Sequence, residues 1–378
     1  MANTLDSIMP KILARGLLAL REQCVMPRLV NGDYSAEAAQ KGQTIDVPIP
    51  TAQAATDVTP SNTPPAPANK TPGLVQIPLD QWKKTDFHLS DKDLVEIDRN
   101  RHFLPMQTSE AVRALSNAVN EHIHAQYTGI YGFTGTAGTT PFASTVTDAT
   151  NARKVLNQQR APRTERRGVL DYDAEANALA LSPFADAEKT MSNTVKIEGE
   201  IGRKYGIDWV ADDAVVTHTE GTAWGIGVTV SAIASTGASA ISLDVSASGT
   251  ILIGDVFTIA GHSQTYVSKT SATGTSIDIN FEPVLEANAT AAAVLTGKGD
   301  HVVNLVFHRD AFAFANRPLV ASTTDMQLGS RIMSMTDPQT GITLRLEVSR
   351  QYKQVVWEFD ILWGSKLVRP ELAARIAG

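Results

Sequence analysis

The order of apolar and polar positions divides the chain into stretches of different period. Near the N-terminus Leu5, Ile8, Ile12, Leu13 and Leu17 fall close to helical spacing, which predicts a short amphipathic helix over residues 5–23. A helix that precedes every core-building segment reads as an arm that docks onto something else. The period then changes to two. Ile45, Val47 and Ile49 alternate with polar or proline positions, and so do Val75, Ile77 and Leu79. Pro48, Pro50 and Pro78 cannot donate ladder hydrogen bonds, so both runs are expected as edge strands, paired in one extended hairpin. Between them lies TPSNTPPAPANKTPG (59–73), a run with almost nothing to bury. Alternation on both flanks favours a hairpin with a long, proline-stiffened tip over a disordered linker.

After Pro105 the period is 3.6. Val112, Leu115, Val119, Ile123 and Tyr127 form one stripe, with Thr108 or Ser109 able to cap its start and Gly129 its end, so a long helix is expected over 108–128. GFTGTAGTTPF (132–142) reads as a loop and TDATNARKVLNQQRAP (147–162) as a second helix capped by threonine or aspartate. RGVLDYDAEANALA (167–180) and SPFADAEKT (182–190) read as strand, turn and helix, and EGEIGRKYGIDWVAD (198–212) as a glycine-punctuated turn into a strand. From Ala214 to about Gly299 the chain is rich in Ala, Ser, Thr, Gly and Val, and short strand-like runs recur every dozen residues between turns. That spacing predicts a small all-β barrel or sandwich inserted into a larger α/β unit. At DHVVNLVFHRDAFAFANRPLV (300–320) a strand followed by a helix is expected, and Ile342–Arg350 with Gln354–Leu362 forms a closing strand pair.

Composition narrows the class. The 378 residues are 43% hydrophobic, enough for two or three packed units. A net charge of −7 argues against a general nucleic-acid or membrane surface. The single cysteine, Cys24, rules out an internal disulfide framework and suits a reducing cytoplasm. The first 25 residues lack signal-peptide order, and no apolar run is long enough for a bilayer, so the expectation is a soluble chain made in the cytoplasm, without a membrane partner.

No catalytic constellation can be assembled, and neither cofactor nor metal is expected. His122 and His124 are two apart on a helix and so point to different faces, unlike the i,i+4 pairs that share a metal. Cys24 reads as inert packing. The glycines of 132–138 lack the Lys-Ser/Thr pair of a phosphate loop and follow a helix rather than a strand. One charge cluster stands out: Arg153, Lys154, Arg160, Arg163, Arg166 and Arg167 lie within fifteen residues. Contact with phosphates, contact with a neighbouring copy, or a solvated face paired to Asp171 and Asp173 would each use it. With a net-negative chain and no interleaved aromatic residues, subunit contact or a solvated face is preferred to DNA recognition.

Taken in order, the parts are a helical arm, a protruding hairpin, a long helix, an α/β region interrupted by a β module, and a closing strand pair. The arrangement resembles the major capsid protein of tailed double-stranded DNA bacteriophages, the Hong Kong 97 fold. GDVFTIAG (254–261) inside a Gly/Thr-rich insertion looks like the inserted β domain of the short-tailed Salmonella-type phage coat proteins. NLVFHRDAFAFANRPL (304–319) is similar to that branch's return to its apical region, and LRLEVSRQYKQVVWEFDILWGSKLVRPELAARI (344–376), with its Arg-Pro-Glu-Leu turn at 369–372, to its closing strands.

The resemblance implies an α+β fold of this type, divided as follows: an N-terminal arm (1–40), an extended loop (41–85), a peripheral domain (86–149) holding the spine helix 108–128, a first axial part (150–213), the inserted β domain (214–299), a second axial part (300–340), and peripheral C-terminal strands (341–378). It implies a non-enzymatic subunit that self-assembles as pentamers and hexamers into an icosahedral shell, the virion capsid, built in the bacterial host cytoplasm around double-stranded DNA bound without sequence specificity. A portal protein, possible decoration proteins and a separate scaffolding protein are the implied partners, the last because the hairpin begins within forty residues and leaves no room for a fused scaffold. In the family the extended loop lies over the adjacent subunit, so Asp57, Pro60, Pro64, Pro65, Pro67, Lys70 and Trp82, together with Arg153, Arg160, Arg163, Arg166 and Arg167, are the candidate inter-subunit contacts. Lys70 lies in the tip, but no acceptor for an isopeptide bond is evident and no crosslink is expected. Two alternatives stay open: an encapsulin-like compartment shell, and a phage tail or surface binding module built on the β domain.

Overall fold

A computed structural model describes residues 24–32, 42–50, 72–91, 103–185, 201–319, 330–336 and 342–378, with isolated positions at 13, 14, 16, 55, 57, 58, 60, 62 and 199. The hairpin is formed by β1 (Thr44–Ile49) and β2 (Gly73–Pro78), and β3 (Gln81–Ser90) follows after two residues. The long helix α1 (Phe103–His124) starts five residues earlier than its stripe suggests, with Pro105 in its first turn, where a missing N–H is harmless. It ends in a tighter turn, Ala125–Gly129, so Tyr127 leaves the helical stripe. Next come β4 (Gly132–Gly135), α2 (Thr147–Gln158), β5 (Arg166–Leu170), α3 (Tyr172–Ala180) and the hairpin of β6 (Gly202–Lys204) and β7 (Ile207–Ala211). The short β8 (Thr217–His218) leads into β9 (Val228–Val230), β10 (Ala240–Ile251), β11 (Val256–Ile259), β12 (Thr265–Ser268), β13 (Ala272–Glu282) and β14 (Val294–Gly297). The chain returns through β15 (His301–His308) and β16 (Phe312–Asn316) and finishes with β17 (Ser330–Thr336), β18 (Thr343–Gln351), β19 (Gln354–Leu367) and β20 (Ala373–Ala377).

These strands make a mixed α+β molecule. A five-stranded antiparallel sheet runs β16-β19-β18-β17, with β3 also paired to β19. On β19, Val355, Trp357, Phe359, Ile361 and Trp363 face inward, and the stripe Val112, Leu115, Val119 and Ile123 of α1 packs into the same core. Each such side chain contributes roughly 1.5–3 kcal/mol relative to exposure. A seven-stranded sheet runs β4-β20-β15-β5-β7-β6, with β8 joined to β15, and its β20–β4 and β5–β7 pairs are parallel. The six strands β9 to β14 close into a barrel with its own core of Phe257, Tyr266, Phe281, Ile277, Ile279 and Leu243.

Three expectations are corrected. Residues 132–135, read as loop, form β4, whose four residues are too few to show a period. Residues 312–316, read as the start of a helix, form β16, which is buried at every position and so shows no alternation. The third concerns the N-terminal arm, expected to dock elsewhere. Its described residues pack at home: Leu13 is fully buried in the main core, Cys24 Sγ lies 3.1 Å from Ser116 Oγ of α1, and the Met26 N–H donates to Asn120 Oδ1 at 3.3 Å. Among the described residues no helix is long and apolar enough to cross a membrane.

Candidate assembly surfaces and the junction beneath the barrel

The hairpin is rooted on the outer face of the five-stranded sheet. Its register pairs Ile45 with Ile77 and Val47 with Val75, which puts these side chains on one face. That face meets Ala313, Ala315, Leu362 and Val368 in a small separate core. Gly364 of β19 permits the contact, because a Cβ there would lie 2.0 Å from the Pro78 carbonyl oxygen and 3.3 Å from Leu79 Cα. Beyond the root each strand has one unpaired edge, and the described positions of the tip, Asp57, Val58, Pro60 and Asn62, are exposed. Pro64, Pro65, Pro67 and Lys70 lie outside the described residues. Trp82 sits on β3 rather than on the hairpin; it is 44% exposed, and its Nε1 donates to Asp360 Oδ2 at 2.9 Å. Asp360 also accepts both arms of the Arg345 guanidinium, so the indole is held on its own sheet.

The arginine cluster does not act as one surface. Arg166 is 2% exposed and donates to Pro162 O (2.7 Å), Asn157 Oδ1 (2.8 Å) and Ala161 O (2.8 Å), which fastens the turn between α2 and β5. Burial lowers its pKa from the usual guanidinium value. Arg167 reaches the Arg28 carbonyl and thereby ties β5 to the N-terminal segment. Arg153 donates to Tyr205 O at 2.9 Å from an exposed position. Arg160 and Arg163 are exposed, with Arg160 in a left-handed backbone conformation (φ 60°) just past α2. Neither Asp171 nor Asp173 forms a salt bridge to the cluster; Asp171 instead caps α3 by accepting from Ala174 N at 3.2 Å. Asp148 closes a local turn by accepting from Phe142 N at 2.8 Å.

Where the barrel meets the body there is a buried polar junction that the sequence did not point to. Asp255, fully buried, accepts from His218 Nε2 (3.0 Å), Trp224 Nε1 (2.8 Å), Leu252 N (2.8 Å) and Gly221 N (3.1 Å). A carboxylate can only accept, so His218 carries a proton on Nε2, and its Nδ1 lies 3.1 Å from the Tyr127 hydroxyl. The Arg375 guanidinium lies 5.0 Å over the Tyr127 ring, and its Nη1 donates to Gly254 O at 2.9 Å. Gly254 has φ +94°, and a Cβ there would press on Thr128 and His218 at 3.2–3.3 Å. Burial pushes Arg375 down to about 9 and His124 and His301 down to about 4. His218 and His301 are register partners on β8 and β15, the strands by which the chain enters and leaves the barrel.

This junction fastens the barrel to the body: Gly254 and Asp255 of the barrel are tied to His218 and Arg375 of the body. Among the described residues no three His, Cys, Asp or Glu side chains are placed to hold a metal ion. Cys24 is buried, and burial raises its thiol to about 11, far from a nucleophilic range. A faint signal for the junction was present in the sequence: Arg375 is the only polar residue of LAARIAG (372–378), where a buried cation needs partners.

No family model matches the chain, and no curated relative matches it. Solved structures do align over most of its length. A structure titled Mycobacterium phage Che8 has TM-score 0.48 at 12% identity, covering 94% of this chain and 91% of that one. The capsid of cyanophage P-SCSP1u aligns with TM-score 0.49 at 12% identity, over 94% and 88%. A virus-like particle from Pyrococcus furiosus aligns with TM-score 0.44 at 8% identity, over 97% and 98%.

Proposed function

We propose that this chain is a structural shell subunit, the major capsid protein of a tailed double-stranded DNA phage. One observation carries the reading: a hairpin anchored at its root and open along both edges continues into a 23-residue segment between Ile49 and Gly73 that has little to bury. An isolated two-stranded ribbon is marginal in water. A neighbouring copy supplies what it lacks, and many modest contacts of this kind add up in a closed lattice. Prolines in the tip limit the entropy lost when a neighbour orders it and discourage indiscriminate strand pairing. In this reading Asp57, Pro60, the prolines at 64, 65 and 67, Lys70, and the exposed Arg160 and Arg163 face other copies, whereas Arg166 serves its own fold. The subunit acts without catalysis, assembles in the host cytoplasm with a separate scaffold and a portal, and encloses DNA without reading its sequence.

The test is electron microscopy of the purified chain, alone and with its co-expressed neighbours, beside a variant lacking residues 57–72. Closed shells are expected from the intact chain and a folded monomer from the deletion. Monomers or fibres from the intact chain overturn the assignment, and normal shells from the deletion overturn the role given to the tip.

A further inference from the structure

A polar cleft of 680 Å³ lies between α2 and the barrel, floored by β4. Its size is that of a site for a ligand or a short peptide. Amide side chains dominate its walls, with Asn151 and Gln158 on α2 facing Gln264 on the barrel. Each wall also carries one charge: Lys154 on α2 and Glu286 on the barrel. The Glu286 carboxylate is held in place by Ser263 N and Gln264 N, the latter at 3.1 Å.

The floor is an open sheet edge. Val302 and Gly378 exchange both main-chain hydrogen bonds, at 3.1 and 3.0 Å, which sets the parity of the β15–β20 ladder. Arg375, three residues before Gly378, therefore turns its main-chain groups toward β4. In a parallel pair the residue opposite such a position turns its own groups away. Phe133 is opposite Arg375, so its N–H and C=O point along the open edge into the cleft. Two residues earlier the same edge already accepts a lateral hydrogen bond, from Thr265 Oγ1 to the Tyr131 carbonyl at 2.6 Å.

We propose that this cleft seats the hairpin tip, residues 51–72, of a second copy of the chain, laid along the β4 edge. The inference rests on the shell reading above and adds the address of the contact. The tip carries two charged residues, Asp57 and Lys70, one for each charge of the cleft: Asp57 toward Lys154 and Lys70 toward Glu286. Amide walls donate and accept, which suits a segment with five Thr, two Asn, one Gln and one Ser among its 22 residues and disfavours an apolar helix. Prolines supply carbonyls without N–H groups, so the tip can pair only in single steps, which suits the outward-facing N–H and C=O of Phe133. The 23 residues between Ile49 and Gly73, out and back, reach at most about 40 Å from the hairpin root.

The test places a photoreactive benzophenone amino acid at the exposed Asn62 of the full chain and irradiates assembled shells. Crosslinked pairs of chains are expected, with the label mapped by mass spectrometry to 151–159 or 263–265 of the second copy. Crosslinks confined to other surfaces, or formed only within one chain, overturn the inference and leave the shell reading standing. A chain that forms no shells under any condition overturns both. As a second measure, Lys154→Glu on the exposed face of α2 is expected to raise the concentration needed for assembly about tenfold, and Asp57→Lys in the same chain to restore it. Failure of that rescue, with both variants folded, removes the charge pairing.

Discussion

The barrel and the hairpin are both built from alternating β-strands, yet they solve the problem of exposed edges in opposite ways. The barrel pairs every strand on both sides by closing on itself and fills its interior with sixteen buried side chains. The hairpin has two strands, one buried face at its root and, among the described residues, no third strand on either side. A closed sheet is finished by its own sequence, whereas an open ribbon is finished by whatever lies next to it. The two also differ in how they are fastened. The barrel hangs from a buried network of Asp255, His218, Tyr127 and Arg375, and the hairpin from apolar contacts that a single glycine makes possible.

The sharpest way to break this contrast is to cut both pieces out. Residues 216–303 expressed alone are expected to unfold in one cooperative thermal transition followed by circular dichroism, and a peptide of residues 40–80 to show no transition at all. A disordered barrel fragment or a folded hairpin peptide would remove the distinction. Next in size is Asp255→Ala, which strands four donors, those of His218 and Gly221 buried and those of Trp224 and Leu252 half-buried; a loss of about 4 kcal/mol is expected in urea unfolding followed by tryptophan fluorescence. A loss below about 1 kcal/mol would mean that the network holds nothing.

Acid should loosen the barrel's fastening and spare the hairpin's. Burial holds His124 and His301 at about 4, against 6.5 for a free histidine. Between those values the unfolded chain binds more protons, so stability falls as pH falls, and the contribution levels off below about 4. Asp212, raised to about 6 by burial, works the other way and regains stability as pH falls through its own window. Two histidines against one carboxylate leave a net loss on the order of 3 kcal/mol between pH 7 and pH 4. His301→Phe should flatten that dependence, and an unchanged slope would assign it elsewhere. Smallest is Gly364→Ala, expected to lift the hairpin root at a cost of about 2 kcal/mol. Protease sensitivity near 44–50 and 73–80 should rise while the barrel's transition stays in place.

Most of this contrast was legible in the residues because both regions obey a period. Ile45, Val47, Val75 and Ile77 alternate, and they are the cross-strand partners that the ladder shows. Ile241, Leu243, Ile277 and Ile279 do the same in the barrel. What escaped has no period or no local partner. β16 is buried on both faces, so Phe312–Asn316 looks the same as a buried helix. Arg166 looked like one more surface cation, because the carbonyls that bury it belong to a turn whose geometry no pattern encodes. The junction joins residues 127, 218, 255 and 375, and long-range polar contacts leave no local spacing to read. The candidate surface was legible only as composition: the tip's prolines and polar residues marked it as exposed, and nothing in them named the β4 edge proposed as its seat.

The barrel's two attachment strands, β8 and β15, are antiparallel neighbours, with His218 opposite His301 and Thr217 opposite Val302. A chain that departs and returns at adjacent positions can gain or lose the intervening module with little disturbance to the sheets around it. In an evolving lineage, then, the whole barrel could be exchanged for a tight turn in one genetic event while every strand of the body kept its place. The scar of such a deletion would be Arg375, left without the Gly254 carbonyl that accepts its proton today, and the first compensating substitution should fall there.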